Sequence, residues 1–447
     1  MTFFRIFPNF VSFCALAAGV LTTSARPANG DEARAQAKEK PARTKPGKPG
    51  VDDDWPQWRG PRRDAVSTET GLLETWPEGG PKLLWTSQDA GVGYSGPAVK
   101  NGKLYLLGGD KGTVAFAINV KTGKRLWTSP PLAEVYENDW GDGPRSTPTL
   151  DGGKLYCLSA TGTLACLDAS KGKILWRKEL VADFGGAVPS WGYCESPLVV
   201  GKRLFITPGG KNCVVALNKE NGSTLWTSTG LDDAAQYSSL VPLRVDGLDM
   251  LVTMTNRGLV GLNAANGKLL WRFEKTANGT AVIPTPIVKD NLVYSTSGYG
   301  TGCGLVKLKV QGSNCDAEEV YFNKVMKNQH GGVLLVGDHV YGYSDGTGWV
   351  CQSLETGELV WRDKKLGKGS VLAAEGKLYC YSEDDGTVVL ADASPDGWTE
   401  RGRFTIPKSS AIPRKSGHIW THPVVAEGRL FLRDHELLFC FELKESK

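Results

Sequence analysis

The side chains in this sequence that could bind a ligand or move a proton recur next to short Ser/Thr-Pro elements. Arg145 precedes Ser146-Thr-Pro148, Glu195 precedes Ser196-Pro197, and His422 precedes Pro423. Comparable positions are held by Tyr94, Tyr237, His330 and Trp420. An arginine, a carboxylate and two histidines in one place could bind an anion, accept a proton or hold a metal ion.

Two long connections add aromatic side chains to this group. The loops 133–145 and 183–191 are rich in Trp, Gly and charge, and they carry Trp140 and Trp191. Loops of this length beside a rigid scaffold are usual places for ligand contacts. The two indoles could stack on a flat ligand, or they could merely cap the central channel of the propeller that is predicted below. The sequence leaves both interpretations open.

A metal site is not predicted. His330 and His422 could approach each other together with Glu195, but no His/Cys spacing on one strand supports metal binding. We interpret the two histidines as satisfied polar residues or as hydrogen-bond donors to a ligand. His339, His418 and His435 are interpreted as ordinary loop or strand residues.

The elements that must position these residues form one repeated unit. The stretch from Lys154 to Trp176 contains two alternating apolar runs joined at Thr161-Gly162, then a turn at Gly172 and a third run. This pattern predicts a hairpin followed by another strand. Copies about 40 to 50 residues apart end at Trp85, Trp127, Trp176, Trp226, Trp271, Phe322 and Trp361.

The repeat predicts an eight-bladed β-propeller of four-stranded antiparallel blades. Each unit lacks helical periodicity and cannot cover its own apolar faces, so neighbouring units must stack. The chain from Trp55 onward has room for eight units of about 49 residues. The last copy stops early, whereas 81–85 resembles a closing strand without its unit, so we expect this N-terminal strand to complete the last blade.

The first part of the chain predicts export. Residues 1–25 combine one arginine, an apolar stretch and a small-residue end, which is typical of a signal peptide. Residues 26–54 have almost no large apolar side chains and predict a disordered linker, which leaves 55–447 as the propeller. We expect an exported, periplasmic or envelope-associated protein with no transmembrane span after signal cleavage.

Composition excludes some classes of function. The chain has 447 residues, is 40% hydrophobic and has a formal net charge of only +4, which gives no electrostatic footprint for nucleic acid. The ten cysteines do not form a disulfide framework. Counting outward from Thr161-Gly162 places Cys157 opposite Cys166, either as a disulfide or, in our preferred interpretation, as two small buried hydrophobes.

The turn and its tryptophan carry a resemblance to a known family. A glycine precedes the tryptophan by four residues at Gly123/Trp127, Gly172/Trp176, Gly222/Trp226, Gly267/Trp271 and Gly357/Trp361. This pattern resembles the tryptophan-docking repeat of the pyrroloquinoline quinone (PQQ) β-propellers. That family includes quinoprotein alcohol dehydrogenases, polyvinyl-alcohol-dehydrogenase-like proteins and BamB-type outer-membrane assembly factors. The non-repeating segments 54–61, 191–197 and 330–332 also resemble exported PQQ-like propellers of planctomycete-type bacteria.

The resemblance implies three functions that remain open. The first is binding of an extracytoplasmic partner, a polymer or a small ligand at the channel rim by Tyr94, Trp140, Tyr237, His330 and His422. The second is a PQQ-dependent alcohol or sugar dehydrogenase with Ca²⁺, in which Glu195 is the base, Arg145 holds the quinone, and Trp191 or Trp420 stacks on it. The third is a BamB-like assembly factor. We prefer the first, because the sequence shows no convincing Glu/Asn/Asp set for Ca²⁺.

Overall fold

The computed structural model describes residues 54–445. The predicted signal peptide and all but the last residue of the predicted linker lie outside this range. The described residues form eight β-sheets, one short α-helix and one 3-10 turn. The first two strands of the described residues, β1 (Val66–Ser67) and β2 (Leu83–Ser87), join blades that are otherwise formed by residues 369–442.

The first four blades follow one another along the chain, each as a four-stranded antiparallel sheet. Blade 1 contains β3 (Ala98–Lys100), β4 (Lys103–Gly109), β5 (Thr113–Asn119) and β6 (Arg125–Thr128). Blade 2 contains β7 (Thr149–Asp151), β8 (Lys154–Leu158), β9 (Thr163–Asp168) and β10 (Ile174–Glu179), followed by α1 (Leu180–Phe184). Blade 3 contains β11 (Leu198–Val200), β12 (Arg203–Ile206), β13 (Val215–Asn218) and β14 (Thr224–Thr227), with the 3-10 turn at Gly210–Asn212. Blade 4 contains β15 (Val241–Val245), β16 (Leu248–Thr255), β17 (Gly258–Asn263) and β18 (Leu269–Phe273).

The last four blades complete the propeller. Blade 5 contains β19 (Ile287–Lys289), β20 (Leu292–Ser297), β21 (Gly302–Gln311) and β22 (Asn314–Asn323). Blade 6 contains β23 (Val333–Val336), β24 (His339–Ser344), β25 (Gly348–Ser353) and β26 (Leu359–Asp363). Blade 7 contains β27 (Gly369–Ala374), β28 (Lys377–Ser382), β29 (Thr387–Asp392) and β30 (Glu400–Thr405), with β1 added in parallel to β27. Blade 8 contains β31 (Val424–Ala426), β32 (Arg429–Asp434), β33 (Leu437–Glu442) and β2.

The predicted closure of the last blade is confirmed. Strand β2 pairs antiparallel with β33, with Leu83 opposite Phe441 and Trp85 opposite Cys440. The predicted fold, an eight-bladed propeller of antiparallel blades, is confirmed with it. The parallel pairing of β1 with β27 was not predicted.

Several blades contact the next through the aromatic side chain that ends their repeat. In blade 5 this side chain is Tyr321, which packs on Gly357, and not the predicted Phe322. Trp127 donates its Nε1–H to Ala169 O at 3.2 Å, and its ring lies against the turn at Gly172. A Cβ on Gly172 would stand 2.5 Å from Trp127 Cε3, and the φ of this glycine is +69°. Equivalent bonds join Trp85 to Val120, Trp176 to Lys219 and Trp361 to Ser394. The glycine of the turn is therefore required both by its backbone conformation and by the ring packed on it.

The predicted register of the β8–β9 hairpin is wrong. Cys157 pairs with Ala165, and Cys166 pairs with Tyr156, so the hairpin loop is longer than Thr161-Gly162. Because successive residues of a strand face opposite sides of the sheet, the two cysteines lie on opposite faces. All nine cysteines between residues 54 and 445 are free, which agrees with the interpretation as small buried hydrophobes.

Candidate functional site

Residues 55–67 cross the centre of the propeller and contact all eight blades. Trp55 pairs with Val99 of blade 1, and Pro56 O accepts a hydrogen bond from Leu150 N of blade 2 at 2.8 Å. Trp58 Nε1 donates to Thr285 Oγ1 before β19 of blade 5 at 3.1 Å. Arg63 contacts Ser196 and Pro197 at the start of blade 3 and Leu240 at the start of blade 4. Arg59 contacts Val333 of blade 6, Val66 pairs with Ala373 of blade 7, and Ser67 contacts Val425 of blade 8. This central segment therefore ties together the first strands of the blades or the residues just before them.

Two buried arginines make most of the polar contacts of the central segment. Arg63 is 2% exposed and donates from Nη1 to Leu240 O at 2.8 Å and from Nη2 to Ser196 O at 3.0 Å. Arg59 is 3% exposed, and its Nη2 donates to Val333 O at 2.5 Å. Burial lowers the pKa of each guanidinium to about 10, so both groups are charged at neutral pH.

A cavity of about 380 Å³ lies beside this segment, at the ends of the connections that lead into the first strands. Its lining includes eight of the nine residues that the sequence singled out, which are Tyr94, Trp140, Arg145, Trp191, Tyr237, His330, Trp420 and His422. A volume of this size is within the range of small-molecule sites. The structure thus brings together most of the predicted rim.

The wall of the cavity is aromatic. The ring of Trp420 stacks on His330 with centroids 4.4 Å apart and planes 17° apart, and Trp140 continues the stack at 6.5 Å and 22°. Tyr94 packs against Trp420 at 5.5 Å. Trp140 remains 45% exposed, so its ring can still cover a ligand. Parallel rings of this kind suit a flat partner, because stacked aromatic surfaces attract each other and exclude water.

Arg145 lines the cavity but is held by its own loop. Its Nη1 donates to Gly143 O and its Nη2 to Gly141 O, both at 2.6 Å. The guanidinium also lies over the rings of Tyr94 and Tyr136, at 5.4 and 4.8 Å from their centroids. These contacts fix the 133–145 loop through cation–π attraction and backbone hydrogen bonds.

Glu195 does not line the cavity. It is 1% exposed, and its carboxylate accepts hydrogen bonds from Thr207 N at 2.7 Å and Thr207 Oγ1 at 2.9 Å. Burial raises the pKa of this carboxyl to about 7, against the effects of the Thr207 bonds and of Arg63. Its role as a base stays a prediction.

A second buried carboxyl, which the sequence reasoning missed, does line the cavity. Glu383 is 7% exposed, and burial raises its pKa to about 7, although Lys368 Nζ lies 3.9 Å from its Oε1 and acts in the opposite direction. Lys368 also contacts Gln329 and, at 3.2 Å, Asp345. His418, interpreted above as an ordinary residue, belongs to the same wall. Glu383 and Lys368 come from blade 7, whose degenerate repeat gave no signal for them.

The two histidines of the rim are neutral. Nε2 of His422 lies 2.8 Å from His330 O, and the ring meets Trp58 edge-on at 4.7 Å. Burial lowers the pKa of His330 to about 3 and that of His422 to about 4, with nearby cations adding to both shifts. Neutral imidazoles can accept or donate single hydrogen bonds to a ligand.

One group of potential metal ligands adjoins the cavity. Ligand atoms of Glu383, Asp384 and His418 lie within 4.8 Å of one another, and His418 Nδ1 is 3.2 Å from Asp384 Oδ1. Asp384 and His418 are exposed, and the ammonium of Lys368 lies beside Glu383. Ca²⁺ prefers six or more oxygen ligands, which this group does not provide.

PQQ would need three features from the lining, which are flat rings, cations for its carboxylates and oxygen ligands for Ca²⁺. The stacked rings suit its flat ring system, and the cationic residues suit its carboxylates. The residues between 54 and 445 that line the cavity do not supply an all-oxygen set for the cation that would polarise the quinone carbonyl. The lining thus offers the aromatic and cationic side chains that PQQ would need, but not the oxygen ligands that its Ca²⁺ would need.

No helix among residues 54–445 has the length and apolar character that crossing a membrane requires.

Comparisons with known proteins place these findings in a family. Residues 110–363 match the family model described as outer membrane protein assembly factor BamB. BamB of Yersinia pestis is 24% identical over 243 residues, which are 53% of this chain and 57% of that protein. The chain thus spans a little over half the length of this curated relative.

Solved structures share the fold. BamB from Moraxella catarrhalis superposes with a TM-score of 0.55 at 16% identity, covering 82% of this chain and 98% of that one. Quinohemoprotein alcohol dehydrogenase from Comamonas testosteroni gives 0.58 at 14% identity, covering 88% and 81%. At these identities the likeness concerns the fold alone. Because the family model matches more than half of the sequence, the chain belongs to the PQQ-repeat β-propeller family whose model is described as outer membrane protein assembly factor BamB.

Proposed function

We propose that this protein binds a planar small molecule in the cavity at the centre of the propeller. The observation that supports this most is the aromatic wall, in which Trp420 stacks on His330 and Trp140 extends the stack toward solvent. A wall of this kind buries a flat ligand and leaves the polar side chains around it to determine orientation.

The remaining lining supports the same function. Trp191 and Tyr237 form a second aromatic pair, with ring centroids 5.7 Å apart. Lys368 and Glu383 provide one cation and one carboxyl on the blade 7 side. A ligand held between these walls would be largely removed from water, which strengthens its polar contacts.

Binding can be measured with a set of planar compounds that includes PQQ. We expect at least one of them to quench tryptophan fluorescence and to raise the melting temperature of the full chain. Trp420→Ala should weaken its binding by about tenfold, because it removes the central ring of the wall, against which Trp140 and His330 pack. Trp398→Phe is the matched control, since Trp398 packs against Trp349 and Trp361 and does not line the cavity. Equal affinity of the wild type and Trp420→Ala would refute the proposal.

A PQQ-dependent dehydrogenase is the second candidate, and the aromatic and cationic lining supports it. When bound, PQQ would supply a quinone that accepts a hydride from an alcohol. Trp420 and Trp140 would hold its ring system, and Glu383 could take the hydroxyl proton, since its carboxyl faces the cavity with a pKa of about 7.

The enzyme hypothesis is tested by adding PQQ and Ca²⁺ and measuring dye-linked oxidation of alcohols. We expect loss of activity in Glu383→Gln if that residue is the base, and in Glu195→Gln if the sequence-based assignment is correct. Absence of oxidation with PQQ bound would refute the enzyme hypothesis while leaving ligand binding intact.

A BamB-like role at the cell envelope is the third candidate, supported by the family match over residues 110–363. Under this hypothesis the protein is exported and binds an extracytoplasmic protein or polymer through the rim loops that carry Trp140 and Trp191. Fractionation of cells with and without residues 1–25 tests export. Crosslinking in the envelope, repeated with Trp140→Ala and Trp191→Ala, tests the partner surface, and unchanged crosslinks in both variants would refute it.

A further inference from the structure

Two loops that line the cavity also contact each other. The 133–145 loop carries Trp140, and the loop between β30 and β31, residues 406–423, carries Trp420. The two rings stack with centroids 6.5 Å apart, and Trp140 lines the cavity while 45% of its surface is exposed. The ring of Trp140 therefore stands between the cavity and the solvent.

The central segment obstructs the channel of the propeller. It contacts all eight blades, and its residues Trp58 and Arg59 line the cavity. A ligand cannot pass this segment without breaking the hydrogen bonds of Trp58 to Thr285 and of Arg59 to Val333. Entry past the two loops costs less, because it breaks contacts at the surface.

A small clasp joins the two loops. Lys415 Nζ forms an ion pair with Asp142 Oδ1 at 2.9 Å and donates to Asn138 O at 3.2 Å. Ser416 N donates to Asp139 O at 2.9 Å. The side chain of Lys415 is 40% exposed, and an ion pair at the surface contributes little to stability. The clasp can therefore open without disturbing the core.

Each loop is held in shape independently of the clasp. Arg414 binds Asp434 through both terminal nitrogens, at 2.5 and 2.6 Å, and the side chain of Asp434 is fully buried. The other loop is closed on itself, since Gly143 N donates to Tyr136 O at 2.8 Å and Arg145 donates to two carbonyls of the loop. Loss of the clasp would leave these bonds in place, so the loops can separate as rigid pieces.

The clasp is electrostatic. The hydrogen bond to Asp142 raises the pKa of Lys415, and the charges of Asp142, Glu137 and Asp139 add to this effect. Lys415 thus faces three carboxylates of the 133–145 loop. Because these groups lie at the surface, dissolved salt weakens the attraction between them.

We propose that the 133–145 and 406–423 loops form a lid that controls access to the cavity and that Lys415 is its clasp. This inference goes beyond the proposed function, because opening of the lid can be measured without a ligand. Cys194 lines the cavity and is the one cysteine among residues 54–445 that is not buried. The rate at which N-ethylmaleimide alkylates Cys194, followed by peptide mapping, reports how often the lid is open.

Reversing the charge of the clasp should open the lid. Lys415→Glu places a negative charge among the carboxylates of the facing loop, and we expect Cys194 to be alkylated at least about tenfold faster than in the wild type. Lys408→Glu is the matched control, because it makes the same change at an exposed position of the same loop outside the clasp. It should keep the wild-type rate.

Ionic strength distinguishes the clasp from a general loosening of the loop. Between about 0.1 M and 1 M NaCl the alkylation rate of the wild type should rise several-fold, because salt screens the attraction that closes the lid. The rate of Lys415→Glu should fall over the same range, because salt there screens a repulsion. The wild-type series needs no variant and is unaffected by any folding defect.

The buried cysteines report unfolding. Cys213 and Cys380 are fully buried and should stay unmodified in every variant. Equal alkylation of Cys194 in the wild type and in Lys415→Glu, or a wild-type rate that does not rise with salt, would overturn the proposal. If Cys380 reacts together with Cys194 in Lys415→Glu, that variant has unfolded, and the wild-type salt series decides. Failure of every planar compound to bind would refute the proposed function alone.

Discussion

Removing Arg63 should destabilise the whole propeller, because this side chain joins the entry segments of blades 3 and 4 to the central segment. Arg63→Ala would delete the donors to Leu240 O and Ser196 O, which lie in fully buried residues and have no other donor in the described structure. The third acceptor, Pro197 O, would still receive the hydroxyl of Thr149. Two buried carbonyls would then be unpaired.

The size of the effect can be worked from these contacts. Each unpaired buried carbonyl costs about 1–3 kcal/mol, and release of a buried guanidinium to water offsets part of the sum. We therefore expect a loss of about 3 kcal/mol. A domain of roughly 390 residues has an unfolding entropy of about 0.8 kcal/mol/K, so the melting temperature should fall by about 4 °C.

Differential scanning calorimetry of the full chain measures this change. Arg62→Ala is the matched control, since Arg62 is exposed and pairs only with Asp64 and a neighbouring carbonyl among the described residues. It should shift the melting temperature by less than about 1 °C, as expected for a surface ion pair. A melting temperature of Arg63→Ala equal to that of Arg62→Ala would refute the reasoning that the central segment holds the blades together.

Three further changes test the blade contacts and the acid group of the cavity. Trp361→Ala removes a half-buried indole that donates to Ser394 O, and chemical denaturation should show a loss of about 2–4 kcal/mol; a loss below about 1 kcal/mol would contradict a role in joining blades. Gly261→Ala should lower the free energy of unfolding by at least about 1–3 kcal/mol in chemical denaturation, because the added Cβ would lie 2.1 Å from a ring atom of Trp271. Gly279→Ala is the control, because open space surrounds that position, and it should leave the free energy of unfolding unchanged. Glu383 has a pKa of about 7 in the folded protein, above the usual value, so its protonated form stabilises the fold below about pH 4.5 and that contribution is lost as the pH rises through 7. The free energy of unfolding of Glu383→Gln, measured relative to that of the wild type by urea titration, should therefore rise by up to about 3 kcal/mol between pH 5 and pH 8. The same difference between the two proteins at both pH values would contradict the shifted pKa.

The fold was predictable because its determinants are local and repeated. The alternating strands, the turn glycine and the tryptophan four residues later recur in most blades, and the short last copy indicated that a strand near Trp85 completes it. The register of the β8–β9 hairpin was not predictable in the same way. The length of its loop depends on bonds between Ser159 and Thr163, which a dipeptide signal does not specify.

The rim of the cavity was predictable from topology, but the central segment beside it (residues 55–67) was not. Residues that precede first strands must meet near the axis, which is why Arg145, His330 and Trp420 were expected together. The central segment has no strand periodicity, and its partners lie far along the chain, as for Arg59 and Val333. The density of Trp and Arg in 55–63 is the signal that could have indicated a buried, hydrogen-bonded role.

The most direct test of the account is native mass spectrometry of the full chain isolated from the cell envelope, with bound small molecules released and identified. We predict that a planar small molecule is retained by the wild-type protein and is lost from Trp420→Ala. Recovery of the same bound compounds from Trp420→Ala as from the wild type would contradict the claim that the aromatic cavity is the functional site.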